Sequence, residues 1–218
     1  RAFRAATHLG VTVFRAIVVW SGLAGVIVAP IIVAAGSEYL QYRSATYVTA
    51  GFAGVVALAL LVTQPLLASG HLPGLTMLAS RRIHRWTGAV LVLAVCVHVV
   101  GLWVTSPPDM VDALTFTAPT AFSVFGVVAM WAVFATALLA GFRRKLPVRP
   151  HIWRIAHTMA ATIVVIGTVA HVLLIEGTMG TVTKVLMCMV SVGALLLAVR
   201  RLRPWVGLWR GRETPSRG

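Results

Sequence analysis

Six stretches of this sequence stay apolar for about 20 residues apiece, the length an α-helix needs to cross the hydrocarbon core of a bilayer. They run over Ala16–Ala35, Tyr47–Ser69, Trp86–Thr105, Pro119–Phe142, Ile152–Ile175 and Thr181–Val199. Of the 218 residues, 59% are hydrophobic and 11% charged, and the mean hydropathy is +0.91. Soluble domains are not built this way. Little chain is left outside the runs, so the expected fold is all-α: one integral membrane domain over residues 1–218, a six-helix bundle with no separate soluble unit.

The formal net charge of +14 would suit a nucleic-acid binder, but its distribution points elsewhere. Arg1, Arg4 and Arg15 precede or open the first span, and Arg81, Arg82 and Arg85 lie in the second loop. Arg143, Arg144, Lys145 and Arg149 fill the fourth loop, and a basic tail occupies residues 200–218. In a six-span chain these four regions share one side. The opposite loops carry Arg43 and Lys184 against Glu38, Asp109, Asp112 and Glu176. By the positive-inside rule both termini and the tail are expected in the cytoplasm, with the chain in the cell (inner) membrane. The same clusters would meet anionic lipid headgroups.

Several chemistries have no seat here. Cys96 and Cys188 both fall inside spans, so they imply no disulfide framework and read as apolar packing residues. There is no CxxCH for covalent haem, no GxGxxG after a strand and no P-loop. The first span carries no small-residue cleavage site and is expected to remain as a helix.

Two of the spans carry histidines, which are costly in hydrocarbon and mark functional or internally partnered positions. His84 and His98 are 14 residues apart in RRIHRWTGAVLVLAVCVHVVG, and His157 and His171 are 14 apart in RIAHTMAATIVVIGTVAHVLL. At 3.6 residues per turn, 14 residues fall only about 40° short of four full turns, so each pair shares a face. Its members stand roughly 21 Å apart along the helix axis. The third and fifth spans run in the same direction, so His84 is level with His157 near the cytoplasm, and His98 with His171 towards the outside. Two facing imidazoles at each of two depths is the arrangement that two stacked, non-covalent b haems need. Iron with two axial histidines has no open position, which means electron transfer and not chemistry at the metal. A closed zinc site would want about four ligands at one point, and each depth offers two.

The stripe between the ligands reads Thr87, Gly88, Leu91, Ala94 and Val95 on one span, and Ala160, Ala161, Val164, Gly167 and Thr168 on the other. Small residues leave space for a flat macrocycle, although they also serve close helix packing. His8, His71 and His151 lie in or beside cytoplasmic segments, and His151 faces away from His171. Arg85 adjoins His84 and Arg154 precedes His157 by three residues. Either is placed to bind a haem propionate bidentately, and equally to serve as a topological charge.

The motif HRWTG opening the third span, the second histidine 14 residues after the first, and WRIAH opening the fifth resemble the ferric reductase-like transmembrane domain family. The resemblance implies six spans with haem-ligand roles on His84, His98, His157 and His171. Longer members continue into a flavin and NADPH domain. This sequence stops at RGRETPSRG and is similar to short haem-only members, such as the membrane subunit of the periplasmic methionine sulfoxide reductase system. An electron-transfer component of an oxidoreductase is thereby implied. Electrons would come from a cytoplasmic flavin reductase, linked to NAD(P)H, or from quinol. They would go to an outside acceptor such as ferric iron, oxygen or a periplasmic protein. Paired histidines at this spacing also occur in quinol-oxidising cytochromes b, so a quinol-linked anchor subunit of a multisubunit complex is a second reading. A haem-free structural subunit is a third.

Overall fold

The computed structural model describes the backbone of residues 2–205 and the side chains of residues 13–205. The positions of Arg1, Arg4 and His8, and the basic tail from residue 206 onwards, therefore lie outside the described side chains. Among the described residues seven α-helices follow one another, with a short 3-10 helix (Glu38–Leu40) after the first: α1 (Ala2–Ala35), α2 (Ala45–Ser69), α3 (Met77–Thr105), α4 (Pro107–Leu114), α5 (Ala121–Gly141), α6 (Pro150–Leu174) and α7 (Thr181–Leu202). Among the described residues there is no strand. All but α4 are long and apolar enough to cross a membrane. The protein is a multi-pass, all-helical membrane protein.

Local chemistry sets the boundaries. The Ser44 hydroxyl accepts from the Tyr47 N–H at the start of α2, and the Thr76 hydroxyl accepts from the Ala79 N–H at the start of α3. Both satisfy an N–H that the first helical turn leaves unpaired. Gly70 closes α2 in the left-handed conformation, with φ +66°, which favours a residue without Cβ. Pro150 opens α6, where the missing N–H costs nothing.

Besides the earlier start of α1, at Ala2 rather than Ala16, two features differ from the sequence reading. The third span was expected from Trp86, but α3 begins at Met77. Arg81, Arg82 and Arg85, expected in a loop, stand instead on the first turns of a helix. Arginine is a good helix former, and a hydrophobicity window stops at charge rather than at the end of a helix. The second is α4, a short helix just after α3, opened by Pro107 and carrying Asp109 in its first turn.

α3 packs chiefly on α2, and α6 on α5. α7 bridges α2 and α6, while α1 lies outside against α2 and α7. One apolar cluster joins Leu58, Ala59 and Val62 of α2 to Val172 of α6 and to Met187 and Cys188 of α7. A second draws Leu61, Leu91, Val133, Val164, Val165 and Leu195 from five helices to one place. Among the described residues α3 and α6 are not one of the closely packed helix pairs; their side chains meet in that second cluster.

The ends of the bundle are held by cross-links. Arg201 donates to the Gly70 carbonyl at 3.3 Å, and the Trp20 indole N–H donates to the Pro73 carbonyl at 3.2 Å. These bonds bring the end of α7, the α2–α3 loop and the first part of α1 to one face. Glu38, Asp109, Asp112 and Glu176, the acids among the described residues, all lie towards the other end.

Met187 is fully buried, whereas Met189, two residues on, is 68% exposed on the lipid-facing side. Met187→Ala should therefore cost about 2–5 kcal/mol of stability through a core cavity. Met189→Ala should stay within about 0.5 kcal/mol. Thermal unfolding of both variants in one detergent measures the difference.

Candidate functional site

The four histidines project from α3 and α6 into the space between these helices. His84 and His157 meet there, their ring centroids 6.4 Å apart and their planes at 74°. Two imidazoles sharing one metal at about 2 Å each bring their centroids to roughly 6 Å, so this separation fits a metal between them. His98 and His171 lie within electrostatic reach of one another. Between the levels, Leu91 is seven residues from either histidine of α3, and Val164 is seven from either of α6. Both are buried in the second apolar cluster, which separates the two sites with a dry layer.

The outer histidines are held alike. His98 Nδ1 lies 2.7 Å from the Ala50 carbonyl on α2, and His171 Nδ1 lies 2.9 Å from the Phe122 carbonyl on α5. Four residues along each neighbouring helix stands a glycine. A Cβ on Gly54 would come within 2.9 Å of His98 Nδ1, and one on Gly126 within 2.7 Å of His171 Nδ1. A side chain at either position would cover the carbonyl one turn back, so only glycine lets the imidazole reach it. With Nδ1–H donating to the main chain, Nε2 is the nitrogen left for a metal.

His84 follows the pattern more loosely. Its Nδ1 is 3.2 Å from the Gln64 carbonyl, and the Gln64 side-chain amide also reaches it at 2.8 Å. The other end of that amide is 2.8 Å from Thr87 Oγ1, whose hydroxyl donates to the Ile83 carbonyl at 2.8 Å. A protonated Nδ1 wants the amide oxygen facing it; a bare Nδ1 wants the NH₂. The tautomer of His84 and the orientation of Gln64 thus change together, and metal binding through Nε2 requires the first state.

His157 differs from the other three. Its Nδ1 is buried and has no hydrogen-bond partner. Trp153, one turn earlier on α6, stacks on the ring instead, with centroids 4.9 Å apart and planes within 13°. Arg85 and Arg154 are exposed on the flanks of this level.

Among the described residues no three His, Cys, Asp or Glu side chains gather into a metal site. The histidines offer two ligands at each level, a donor set that suits a metal whose other ligands come from a macrocycle. Beside the outer pair, α2 and α3 enclose an apolar groove of about 520 Å³, lined by Ala50, Cys96 and Gly101 among others. It is not between the histidines.

His71 and His151 stay apart from the pairs. His151 is in the first turn of α6. His71 sits in the α2–α3 loop with Nδ1 2.6 Å from Ser69 Oγ. Desolvation, then the Arg201 and Arg15 guanidinium groups, hold His71 below the ordinary imidazole pKa.

Sequence reasoning named the four histidines but missed Gln64, Gly54, Gly126 and the partner role of Trp153. The last was visible in principle, because residues four apart on a helix are neighbours and WRIAH places Trp153 four before His157. The glycines each open a GVVA run, at 54–57 and 126–129, but their histidine partners are 44 and 45 residues away.

A family model described as "Ferric reductase like transmembrane component" matches residues 53–168. The match covers just over half of the chain and takes in His84, His98 and His157; His171 lies three residues past its end. No curated protein and no solved structure matches.

Gly126→Val should displace His171 from the Phe122 carbonyl, and, were haem held by the outer pair, should weaken its binding by about 10–100-fold. Gly22→Val, where a Cβ meets nothing within 4 Å, is the control. Haem titration of the two variants distinguishes them. For His71 the sign follows from its lowered folded pKa. Its contribution to stability is complete above the unfolded value of about 6.5 and is lost as pH falls through the folded one. Acidification from about pH 7.5 to about pH 5 should therefore lower the Tm of the native protein more than that of His71→Gln.

Proposed function

The chain belongs to the ferric reductase-like transmembrane component family, and on that premise we propose that it carries electrons across the membrane through two non-covalently bound b haems. Domains of this family generally bind haem, and transmembrane electron transfer is the activity the family implies. The observation that carries the finer reading is the apposition of His84 and His157 at 6.4 Å, from two helices that each pack chiefly on another neighbour. Haem held there by His84 and His157, and at the outer level by His98 and His171, would supply one-electron carriers.

The protein's own residues then have separate tasks. Ala50 and Phe122 carbonyls hold the outer imidazoles in the tautomer that frees Nε2. The Gln64 main-chain carbonyl does the same for His84. Leu91 and Val164 exclude water between the levels. Arg85 and Arg154 flank the inner pair and are suited to haem propionates, with guanidinium binding carboxylate bidentately.

In this reading the basic end of the bundle faces the cytoplasm of the inner membrane, with both termini on that side. Electrons enter there from a flavin reductase supplied with NAD(P)H and leave at the other end to an extracytoplasmic acceptor, ferric iron or a periplasmic protein. Arg144 and Lys145 are exposed in the α5–α6 connection, where positive potential would speed the approach of an acidic donor.

Purified protein from haem-replete cells should contain about two haems per chain by the pyridine haemochrome assay. His98→Ala or His171→Ala should remove one spectral component, and His84→Ala or His157→Ala the other. A colourless preparation would leave a structural membrane subunit as the better account. In oriented vesicles, donor reductase on the cytoplasmic side should reduce both haems at a rate that falls with ionic strength. Arg144→Gln with Lys145→Gln should flatten that dependence and leave haem content unchanged. Reduction by quinol alone would instead favour a cytochrome b anchor subunit.

A further inference from the structure

Three of the four histidines are oriented by hydrogen bonds from a neighbouring helix, and His157 is not. A ligand imidazole with a free Nδ1 can turn about its side-chain bonds, and ligand orientation is what such partners ordinarily fix. Something else must hold this ring. The Trp153 indole lies flat on it at 4.9 Å and 13°.

The indole is itself anchored from two directions. Its N–H donates to the Leu139 carbonyl of α5 at 2.9 Å. On the ring, the Arg143 guanidinium sits 4.8 Å from the centroid, a cation over an aromatic face. Arg143, Trp153, His157 and His84 thus form one line from the basic end of the bundle to the inner ligand pair. No other ligand histidine among the described residues has a stacked ring; Phe122 meets His171 edge-on, at 66°.

We infer that Trp153 is the positioning residue for His157, its anchored indole doing by stacking what a main-chain carbonyl does for the other ligands. This rests on the two-haem reading above. It has a consequence for the inner site: the His157 ring would be oriented by contact alone, and would be the ligand most easily released. Arg143 is drawn into the same stack, which sets it apart from Arg144 in the basic rim.

The test compares the oxidised native protein with Trp153→Leu and Trp153→Phe by EPR and visible spectroscopy, in detergent. The inner haem is identified as the component that His84→Ala removes. Trp153→Leu should lose most of the inner haem's low-spin signal, with a high-spin signal in its place, and retain that haem about 10–100-fold less tightly. The outer haem should be unchanged, and added imidazole should restore the low-spin signal. Trp153→Phe keeps a flat ring in place and should stay low-spin. If Trp153→Leu does not accumulate, Trp153→Met, with similar reach and no planar ring, carries the same expectation. Native protein with two haems and a leucine or methionine variant spectrally identical to it overturns the inference and leaves the haem reading standing. So does loosening of both haems alike, which marks a packing role only. Native protein without haem overturns the haem reading first, and this inference with it.

Discussion

An imidazole N–H inside a membrane is costly to leave without a partner, because hydrocarbon offers none, and three of the four paired histidines have one on a neighbouring helix. Much of the bundle's arrangement serves that requirement. α2 lies against α3 and α5 against α6, close enough for Ala50 and Phe122 carbonyls to take the Nδ1 protons of His98 and His171. Each of those carbonyls already accepts from the N–H four residues on, in its own helix. The second bond is possible because glycine stands at that fourth residue, leaving the oxygen uncovered. The two helix pairs are therefore built alike at the outer level, and both glycines open the same run, GVVA at 54–57 and at 126–129.

The consequence reaches past the histidines. Helices tied in pairs by their own packing need not pack across the gap between α3 and α6, and that gap is where the ligands face each other. Its midpoint is closed by Leu91 and Val164, so two polar levels are separated by an apolar one. Such a layer keeps the two sites distinct while leaving them in one column. At the inner level the rule is relaxed: Gln64 shares the work with a side-chain amide, and His157 leans on an aromatic ring. That level also lies nearest the arginine-rich end, where a cation can stack on the outside of the indole. The inner site is thus tied to the charged surface, whereas the outer site is tied only to neighbouring main chain.

The agreement between sequence and structure follows a pattern. Spans were legible because hydrocarbon thickness sets their length, and His84 was matched with His157 because helical pitch sets depth. The start of α3 was misjudged because the charged residues that end a hydrophobic run do not end a helix; Thr76 and the helix propensity of arginine carry it back to Met77. α4 was missed because it is too short to show a membrane signal, and its opening proline reads equally as a turn. Gln64 looked like one polar residue in an apolar run, with nothing in the chain to say that it faces α3.

By itself the sequence determined that this is a six-span helical membrane protein, that its charge is lopsided, and that four histidines fall at two depths on parallel helices. Those properties depend on local periodicity and on the thickness of the solvent, which act on each segment separately. Only the tertiary structure decided which carbonyl each imidazole meets, why Gly54 and Gly126 have to be glycine, and that His157 is stacked rather than hydrogen-bonded. These are contacts between helices, with partners up to 49 residues apart for His171 and Phe122. Nothing in the local chain encodes them until packing brings the helix faces together.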